Sequence, residues 1–492
     1  MPLTIAIPFG CSDFGMRFAQ GNDFLLCTAK KSGCHMASTT APLSDEEFTS
    51  AVELLRRIIP EDDFPAYSLD VSPATVYTTL VTLWMLILQR LGGGKSMVAV
   101  IKEVLSWNWD LLPDNKRVRE GTLSESSGAY SEARKRLPIG IVQVFAERVS
   151  QSLIDRSPSW FGNRRAFIID GTTMTLAPTS PLRDAYPPAT NQHGETVWPV
   201  MLLTVAHELQ SGCALIPEFG AMYGPGNTSE AKQTARIGRR IPSGSLILAD
   251  AGSGIFSVAY SMIGASHDIL FRLSKSRFKK MFRAAKAIDR TTKSVRYSLK
   301  WTPSSKDRLT NPDLPADACL DVELHEVELD NGEQLYLVTT LQVPTATAVE
   351  YYGRRYDVEH DIRDMKVSLG IENIRAKSDE MVQKELLCSV VAYNLVVELR
   401  REAAKLAGVE PRRLSFTGVW TTMQTYLLQQ PPCMAEEWIA RYERALRSAS
   451  RAKLPNRPGR SYPRRAHPRR PKSTKFMHHK AQKNIGMAAP ET

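Results

Sequence analysis

The apolar positions of the chain change period several times. Between residues 41 and 160 the spacing is helical. Leu43-Ser44 ahead of Asp45-Glu46-Glu47 reads as a helix start with acids in its first turn. Ser72-Pro73 opens a second helix that runs through Trp84 to Leu91 and ends at Gly92-Gly93-Gly94. Lys95-Ser96 opens a third, with Met97, Val98, Val100, Ile101, Val104 and Leu105 as its apolar stripe. Residues 127–138, Ser127 to Pro138, read as a basic helix stopped by the proline, and the amphipathic stretch 139–154 follows it. Then the period shortens. Ala166-Phe167-Ile168-Ile169 reads as a short buried strand ending at Asp170, and Leu246-Ile247-Leu248-Ala249 as another ending at Asp250. Strands are also expected at 200–205, 213–216 and 268–273, with helices at 228–240 and 256–263.

Residues 275–345 differ again. Stretches 294–301, 320–329 and 334–341 alternate or are rich in β-formers, and Asp330-Asn331-Gly332-Glu333 between the last two is a hairpin signal. A long helix is predicted from about Ala346 past Lys366, and another over 380–405. The division that results is a poorly ordered segment (1–40), a helical domain (41–160), an α/β part (161–274), a β-rich insertion (275–345), a second α/β part with C-terminal helices (346–450) and a tail (451–492). Two helices on a glycine turn suit a helix-turn-helix-like DNA-binding unit, and suit any helical bundle equally well. Gly94-Lys95-Ser96 is not a phosphate loop: the pattern needs Gly at position 89, where Gln89 stands, and it should follow a strand.

Charge adds one feature that the pattern does not show. The net charge is +11, and residues 451–492 alone hold twelve Lys and Arg against one acid, Glu491, so the remainder is neutral. The same tail carries Pro455, Pro458, Pro463, Pro468 and Pro471. Such a segment cannot build a packed core and is expected to be a disordered basic arm, with Arg464, Arg465, Arg469 and Arg470 among its phosphate contacts. A polyanion is its natural partner, because each phosphate contact releases counterions. The longest apolar runs, 80–88 and 386–397, are shorter than the roughly 18–20 residues of a membrane span. The N-terminus lacks the basic and apolar regions of an export signal. Seven scattered cysteines without a C-x-x-C pair speak against a disulfide framework or a zinc site. A cytoplasmic protein with no membrane partner is expected.

The candidate chemistry is carboxylate chemistry. Asp170 and Asp250 each follow a short buried strand, where α/β sheets gather ligands. Taken alone, each reads first as a turn or capping residue. Tyr352, Glu359 and Lys366 are seven residues apart on one predicted helix, and Arg355 shares their stripe four residues before Glu359. Alone, that face reads as a solvated, ion-paired helix. Together, three carboxylates suit a pair of Mg²⁺ ions, which prefer oxygen ligands and keep several waters. Arg272, Lys275 and Arg277 follow the fifth strand and are candidate phosphate contacts, a plain basic surface being the equal alternative.

With these residues in view, Tyr352-x2-Arg355-x3-Glu359-x6-Lys366 resembles the Y-x2-R-x3-E-x6-K signature of DDE transposases of bacterial insertion sequences. Asp170-Gly171-Thr172-Thr173 and Ala249-Asp250 resemble the family's two Asp motifs, and the spacings of 80 and 109 residues fit it. The resemblance covers roughly residues 75–475. It implies an α/β fold with an RNase H-like catalytic core interrupted by the β-rich insertion. It implies that Asp170, Asp250 and Glu359 bind two Mg²⁺ (Mn²⁺ substituting) and cut DNA, and that the freed 3′-OH is then joined to a target. Tyr352, Arg355 and Lys366 would grip phosphates, and Trp301 would be positioned to stack on a flipped base, a core role being its equal alternative. Double-stranded DNA at the element ends and in the target would be the partner, handled by a homodimer in the bacterial cytosol, associated with the nucleoid. A nuclease that does not join, or an inactive DNA-binding relative, are the alternatives. The family commonly has a basic residue after the second Asp; here Ala251 stands there.

Overall fold

Side-chain oxygens start the N-terminal helices. In the computed structural model, which describes residues 48–59, 75–160, 164–192 and 194–455, Thr78 accepts from the Val81 amide at 3.3 Å and starts α1 (Thr79–Leu91). Ser96 likewise accepts from Ala99 at 3.2 Å and starts α2 (Met97–Trp107). α3 (Gly128–Arg136) stops just before Pro138, and α4 (Ile139–Asp155) begins after it. The expectations for 1–40, for a helix start at Leu43-Ser44 and for most of the basic tail, Arg464, Arg465, Arg469 and Arg470 included, lie outside the described residues. α1 is buried on nearly every side, down to Gln89 and Arg90. It is therefore a core helix.

The sheet that follows has nine strands. Along the chain come β1 (Ala166–Thr175), β2 (Val200–Glu208), β3 (Glu218–Ala221), helix α5 (Glu230–Gly238), β4 (Leu246–Ala249), helix α6 (Phe256–Gly264), β5 (Asp268–Arg272), helix α7 (Lys275–Phe282), β6 (Lys286–Arg290), β7 (Ser294–Trp301), β8 (Leu320–Glu328) and β9 (Gln334–Thr339). Their order in the sheet is β3-β2-β1-β4-β5-β9-β8-β7-β6. Only β1/β4 and β4/β5 pair in parallel; the other neighbours are antiparallel. The strands of 275–345, expected as a β-rich insertion, belong to this same sheet. Strand β9 pairs with β5, Leu337 opposite Arg272, so these strands widen the central sheet.

Helices close both faces. The expected long helix after 346 is broken: α8 (Thr345–Gly353), one 3₁₀ turn (Arg354–Tyr356), α9 (Asp357–Arg363) and a π-type turn (Asp364–Ser368). α10 (Asp379–Ala407) is capped at its C-terminal end by Gly408 in the left-handed region, φ 63°. It packs against α1 and α4. The buried Lys384 ammonium donates to the carbonyls of Arg134 and Lys135 at 3.1 and 3.2 Å, capping the end of α3. α11 (Phe416–Met423) and α12 (Ala435–Ala449) complete the described fold, and Phe48–Thr49 pairs with Cys433–Met434. Among the described residues no helix is long and apolar enough to cross a membrane.

Two departures from the sequence reading have clear causes. Residues 213–216 make no strand; only an isolated bridge, His207 to Ala214, forms there, and the edge strand comes later as β3. β1 does not end at Asp170 but continues to Thr175, because β2 pairs with it along its whole length. That puts Asp170 inside a strand.

His325 on β8 yields a stability prediction. It is fully buried, and its Nδ1 lies 2.9 Å from the Thr345 hydroxyl, with Glu323 3.9 Å from Nε2. Burial, with Arg296 nearby, lowers its pKa from 6.5 to about 4. The neutral ring is the stable form, so the contribution is full above the unfolded pKa and is lost as pH falls toward the folded one. Acidifying from pH 7 to 4 should cost about 3 kcal/mol through this group. Urea unfolding of wild type and His325→Leu at both pH values checks this: the variant should lose less on acidification, and equal losses would contradict it.

Candidate active site

Strand register brings two carboxylates together. The parallel pairing of β1 and β4 runs from Ala166↔Leu246 to Ile169↔Ala249. The next residue on each chain is Asp170 and Asp250, side by side at about the ~5 Å strand spacing. Side chains alternate along a strand, so Asp170 shares the face of Ala166 and Ile168, and Asp250 that of Leu246 and Leu248. Those four apolar residues pack in one cluster with Tyr352 and Val358. Both aspartates therefore face the segment that carries Arg355 and Glu359.

Backbone donors hold the two carboxylates. The Gly171 amide donates to Asp170 Oδ1 at 2.9 Å. Asp250 Oδ1 accepts from Gly252 at 2.7 Å and Ser253 at 3.3 Å. Burial pushes the Asp170 carboxyl above its ordinary range; the Gly171 amide and Arg355 oppose this, while Asp250 and Glu359 add to it. Arg355 stands between two of the acids. Its Nη1 lies 3.6 Å from Asp170 Oδ2 and its Nη2 3.3 Å from Glu359 Oε1. Burial works against its charge, but Tyr352, Asp170 and Glu359 more than offset this, so the guanidinium is held more firmly protonated than usual. Glu359 itself is 39% exposed, open toward solvent.

The remaining expected residues divide. Tyr352 is buried, and burial raises its phenol to about 12, with Arg355 and Arg272 opposing and Asp250 adding. Arg272 is therefore within the field of the site, exposed at the end of β5. Lys366 donates to Thr172 Oγ1 at 3.1 Å and to the Thr173 carbonyl at 2.9 Å, and pairs with Glu372 at 2.8 Å. The π-type turn spans Lys366, a feature frequent at functional sites. Lys275 is exposed on the first turn of α7. Trp301 is the exception: it is 8% exposed and meets Phe256 edge-on at 5.5 Å. This is a core position, which favours the core role over the base-stacking one.

One residue escaped the sequence reading, and one candidate reaches farther than its place in the chain shows. Arg277 of α7 donates to the carbonyl of Ala251, so a basic side chain reaches the Asp250 loop from a different element. Glu230, the first residue of α5 after the N-cap Ser229, lies against Gly171. Burial raises its pKa to about 7, with Asp250 and Asp170 adding to the rise and the Gly171 amide opposing it. Gly171 directly after Asp170 was the one available signal, since a glycine there leaves room for an approaching group.

A buried ion network lies behind Glu359. Arg412 Nη2 donates to Asp361 Oδ2 at 2.5 Å, and His207 Nδ1 lies 3.8 Å from the same oxygen. Arg412 also donates to the Leu209 carbonyl on the β2 side and lies 3.8 Å from Asp357. This ties α9 to the sheet.

The donor set is made of carboxylate oxygens, the ligands that hard divalent cations take. Among the described residues no three His, Cys, Asp or Glu side chains stand close enough to hold an ion as they are. The Arg355 guanidinium occupies the space between Asp170 and Glu359. The chemistry of the donors fits a divalent cation; closing them on one requires Arg355 to shift.

The chain resembles known transposases. The transposase DDE domain family matches residues 162–395. The transposase InsG of insertion sequence element IS4 from Escherichia coli (strain K12) is 25% identical over 353 residues, 68% of this chain and 75% of that protein. Among solved structures, a piggyBac transposase synaptic complex with hairpin DNA aligns over 84% of this chain and 87% of its own, at 10% identity and a TM-score of 0.39.

Proposed function

The chain is a DDE transposase related to that of an insertion sequence, and from that premise we propose that Asp170, Asp250 and Glu359 are its three catalytic carboxylates. They hold two divalent cations, Mg²⁺ by preference with Mn²⁺ as a substitute. The observation that carries this is the strand register, Ile169 opposite Ala249, which makes the two aspartates neighbours facing Arg355 and Glu359. Bound there, the cations would lower the pKa of an attacking water and neutralise the leaving oxygen of an in-line displacement.

The chain's own residues supply the rest. Asp170 and Asp250 are fixed by backbone amides, so their oxygens need no reorganisation. Arg355, released from the two carboxylates, is placed to hold a non-bridging phosphate oxygen beside the scissile bond. Lys366, Arg272, Lys275 and Arg277 extend positive charge around the site, and exposed Lys279, Lys280, Arg283, Lys286 and Arg290 continue it along α7 and β6. In the first reaction water displaces one 3′ oxygen from phosphorus, leaving a 3′-OH and a 5′-phosphate. In the second that 3′-OH attacks a target phosphodiester and expels the target's own 3′ oxygen. Two element ends must be held together for this, which calls for a homodimer on double-stranded DNA.

Incubating the full chain with DNA that carries the element's terminal repeats, with and without Mg²⁺, tests the reading. Metal-dependent nicking at the repeat end followed by joining is expected; nicking alone would leave a nuclease, and neither would leave a binding protein. Removing 456–492 spares Lys453 and Leu454, which pair with Leu414 and Arg413. It should weaken DNA binding and flatten its salt dependence. A salt slope unchanged in a titration from 50 to about 200 mM would contradict the role of the tail.

A further inference from the structure

We propose that Arg90, buried at the end of α1, is a positioning residue for Lys366; the inference rests on the phosphate contact given to Lys366 above and adds what holds that side chain in place. The two are linked at Gly370, two residues beyond the π-type turn that carries Lys366. Gly370 reverses the chain at φ 64°, and a Cβ there would stand 2.8 Å from Asn373 Nδ2. Its carbonyl accepts from the Asn373 amide at 2.8 Å and from Arg90 Nη2 at 2.7 Å. Both lone pairs of that oxygen are in use, one of them in a charge-assisted bond from a distant part of the chain.

The 3₁₀ turn that follows (Ile371–Asn373) carries Glu372, whose Oε1 takes the Lys366 ammonium at 2.8 Å. The same ammonium donates to Thr172 Oγ1 and to the Thr173 carbonyl, on β1 just past Asp170. Two of these partners thus belong to the strand of the first aspartate. The third depends on the turn that Arg90 fixes.

The far end of the link is equally well held. The Leu91 carbonyl accepts from Trp420 Nε1 at 2.8 Å and from Gln424 Nε2 at 3.0 Å, which ties the end of α1 to α11 and the residue after it. Gly93 and Gly94, at φ 71° and 84°, turn the chain there, and a Cβ on Gly94 would stand 3.6 Å from the Cβ of Asn373. The glycine turn that fails as a phosphate loop brings α1 against residues 370–373.

The bland alternative is that Arg90 only neutralises Glu385. That acid already accepts from Arg134, whereas Arg90 Nη1 lies 3.6 Å from its other oxygen. Burial works against the Arg90 charge, with Glu385 opposing it. The shorter contact of Arg90 is the Gly370 carbonyl, which a purely neutralising role would not need. Arg134 is the matched control: it shares Glu385, and among the described residues it makes no hydrogen bond to 364–373.

Acylation of the lysines of the full chain without DNA, followed residue by residue by mass spectrometry, tests this. Arg90→Met should raise the rate at Lys366 about tenfold relative to exposed Lys279, because the turn at 370–373 opens locally. Arg134→Met should leave Lys366 within about twofold of wild type, although it removes the same kind of buried partner. Neither exchange leaves Glu385 alone, since the other arginine remains. Glu372→Gln, at a half-exposed position, should free Lys366 as Arg90→Met does. A Lys366 rate unchanged in Arg90→Met or in Glu372→Gln, or raised equally in Arg134→Met, would overturn the proposal. Single-turnover cleavage keeps it distinct from the function proposed above. Arg90→Met should cleave about tenfold more slowly, the worth of one charge-assisted hydrogen bond. Lys366 freed in that variant with cleavage at the wild-type rate would leave the hold of Arg90 on Lys366 standing and remove Lys366 from the phosphate contacts.

Discussion

Glu359→Gln is expected to lower DNA cleavage and strand transfer on the order of 10³-fold or more, while binding to the same DNA stays within about twofold. The exchange keeps shape and hydrogen-bonding capacity but removes the charge that draws a cation across from the two aspartates; several kcal/mol of transition-state stabilisation depend on that charge. The fold should be untouched. Glu359 is 39% exposed on its helix, and Arg355 retains Asp170 as a partner. DNA affinity rests on the basic surface of α7, on Lys366 and on the tail, none of which the exchange alters. Single-turnover cleavage and a mobility-shift titration on one preparation measure both. A variant that cleaves at the wild-type rate would exclude Glu359 from the chemistry.

The second large effect is structural. Arg412→Ala should destabilise the protein by about 3–5 kcal/mol, because it leaves Asp361 charged and buried without its partner. Burial alone would raise the Asp361 carboxyl, but Arg412, His207 and Arg400 outweigh it and hold it below its ordinary range. The network matters for function because Asp361 lies two residues from Glu359 on α9, so Arg412 fixes the helix that presents the third carboxylate. Replacing both, Arg412→Met with Asp361→Leu, should recover much of the loss, since apolar residues of similar size need no solvation. Urea unfolding compares the three. A single exchange costing under about 1 kcal/mol would mean that the network does not anchor α9.

The parts of the fold that were legible in the sequence are those governed by local rules. Ser96 and Gly128–Arg136 announced their helices through caps and prolines, and the run 246–249 announced a buried strand through its composition. Asp250 was legible as a strand-end acid; Asp170 was legible as an acid of the first strand, though that strand runs past it to Thr175. What a single sequence does not carry is long-range pairing. The extension of β1 to Thr175 depends on β2, more than twenty residues away, and the merger of the insertion with the central sheet depends on β9 meeting β5. Residues 213–216 have strand composition but lie between Glu208 and the fixed Asn394, whose side chain binds the Ala214 amide at 2.8 Å and its carbonyl at 2.8 Å. That side chain takes the bonds a strand neighbour would have made.

The site shows the same division. Its seven-residue spacing of Tyr352, Glu359 and Lys366 was visible, yet the helix that carries them is interrupted by tighter and wider turns. The spacing kept Glu359 and Lys366 toward β1 without an unbroken helix. Trp301 was chosen by its place in the chain; its burial against Phe256 is a tertiary fact. Glu230 was missed because it has no motif, and the reach of Arg277, named as a candidate phosphate contact, was not visible from its place after the fifth strand. Each is defined by what it reaches, Gly171 in one case and the Ala251 carbonyl in the other.

The account depends on one cation site shared by residues remote in the chain. Replacing Mg²⁺ with Fe²⁺ and adding ascorbate and peroxide generates radicals that cut the backbone beside the bound ion. The account predicts a few discrete cuts, near 170, near 250 and near 359, all suppressed by excess Mg²⁺ and all lost together in Asp170→Asn. Cuts confined to one of these places, or cuts elsewhere that Mg²⁺ does not suppress, would contradict it.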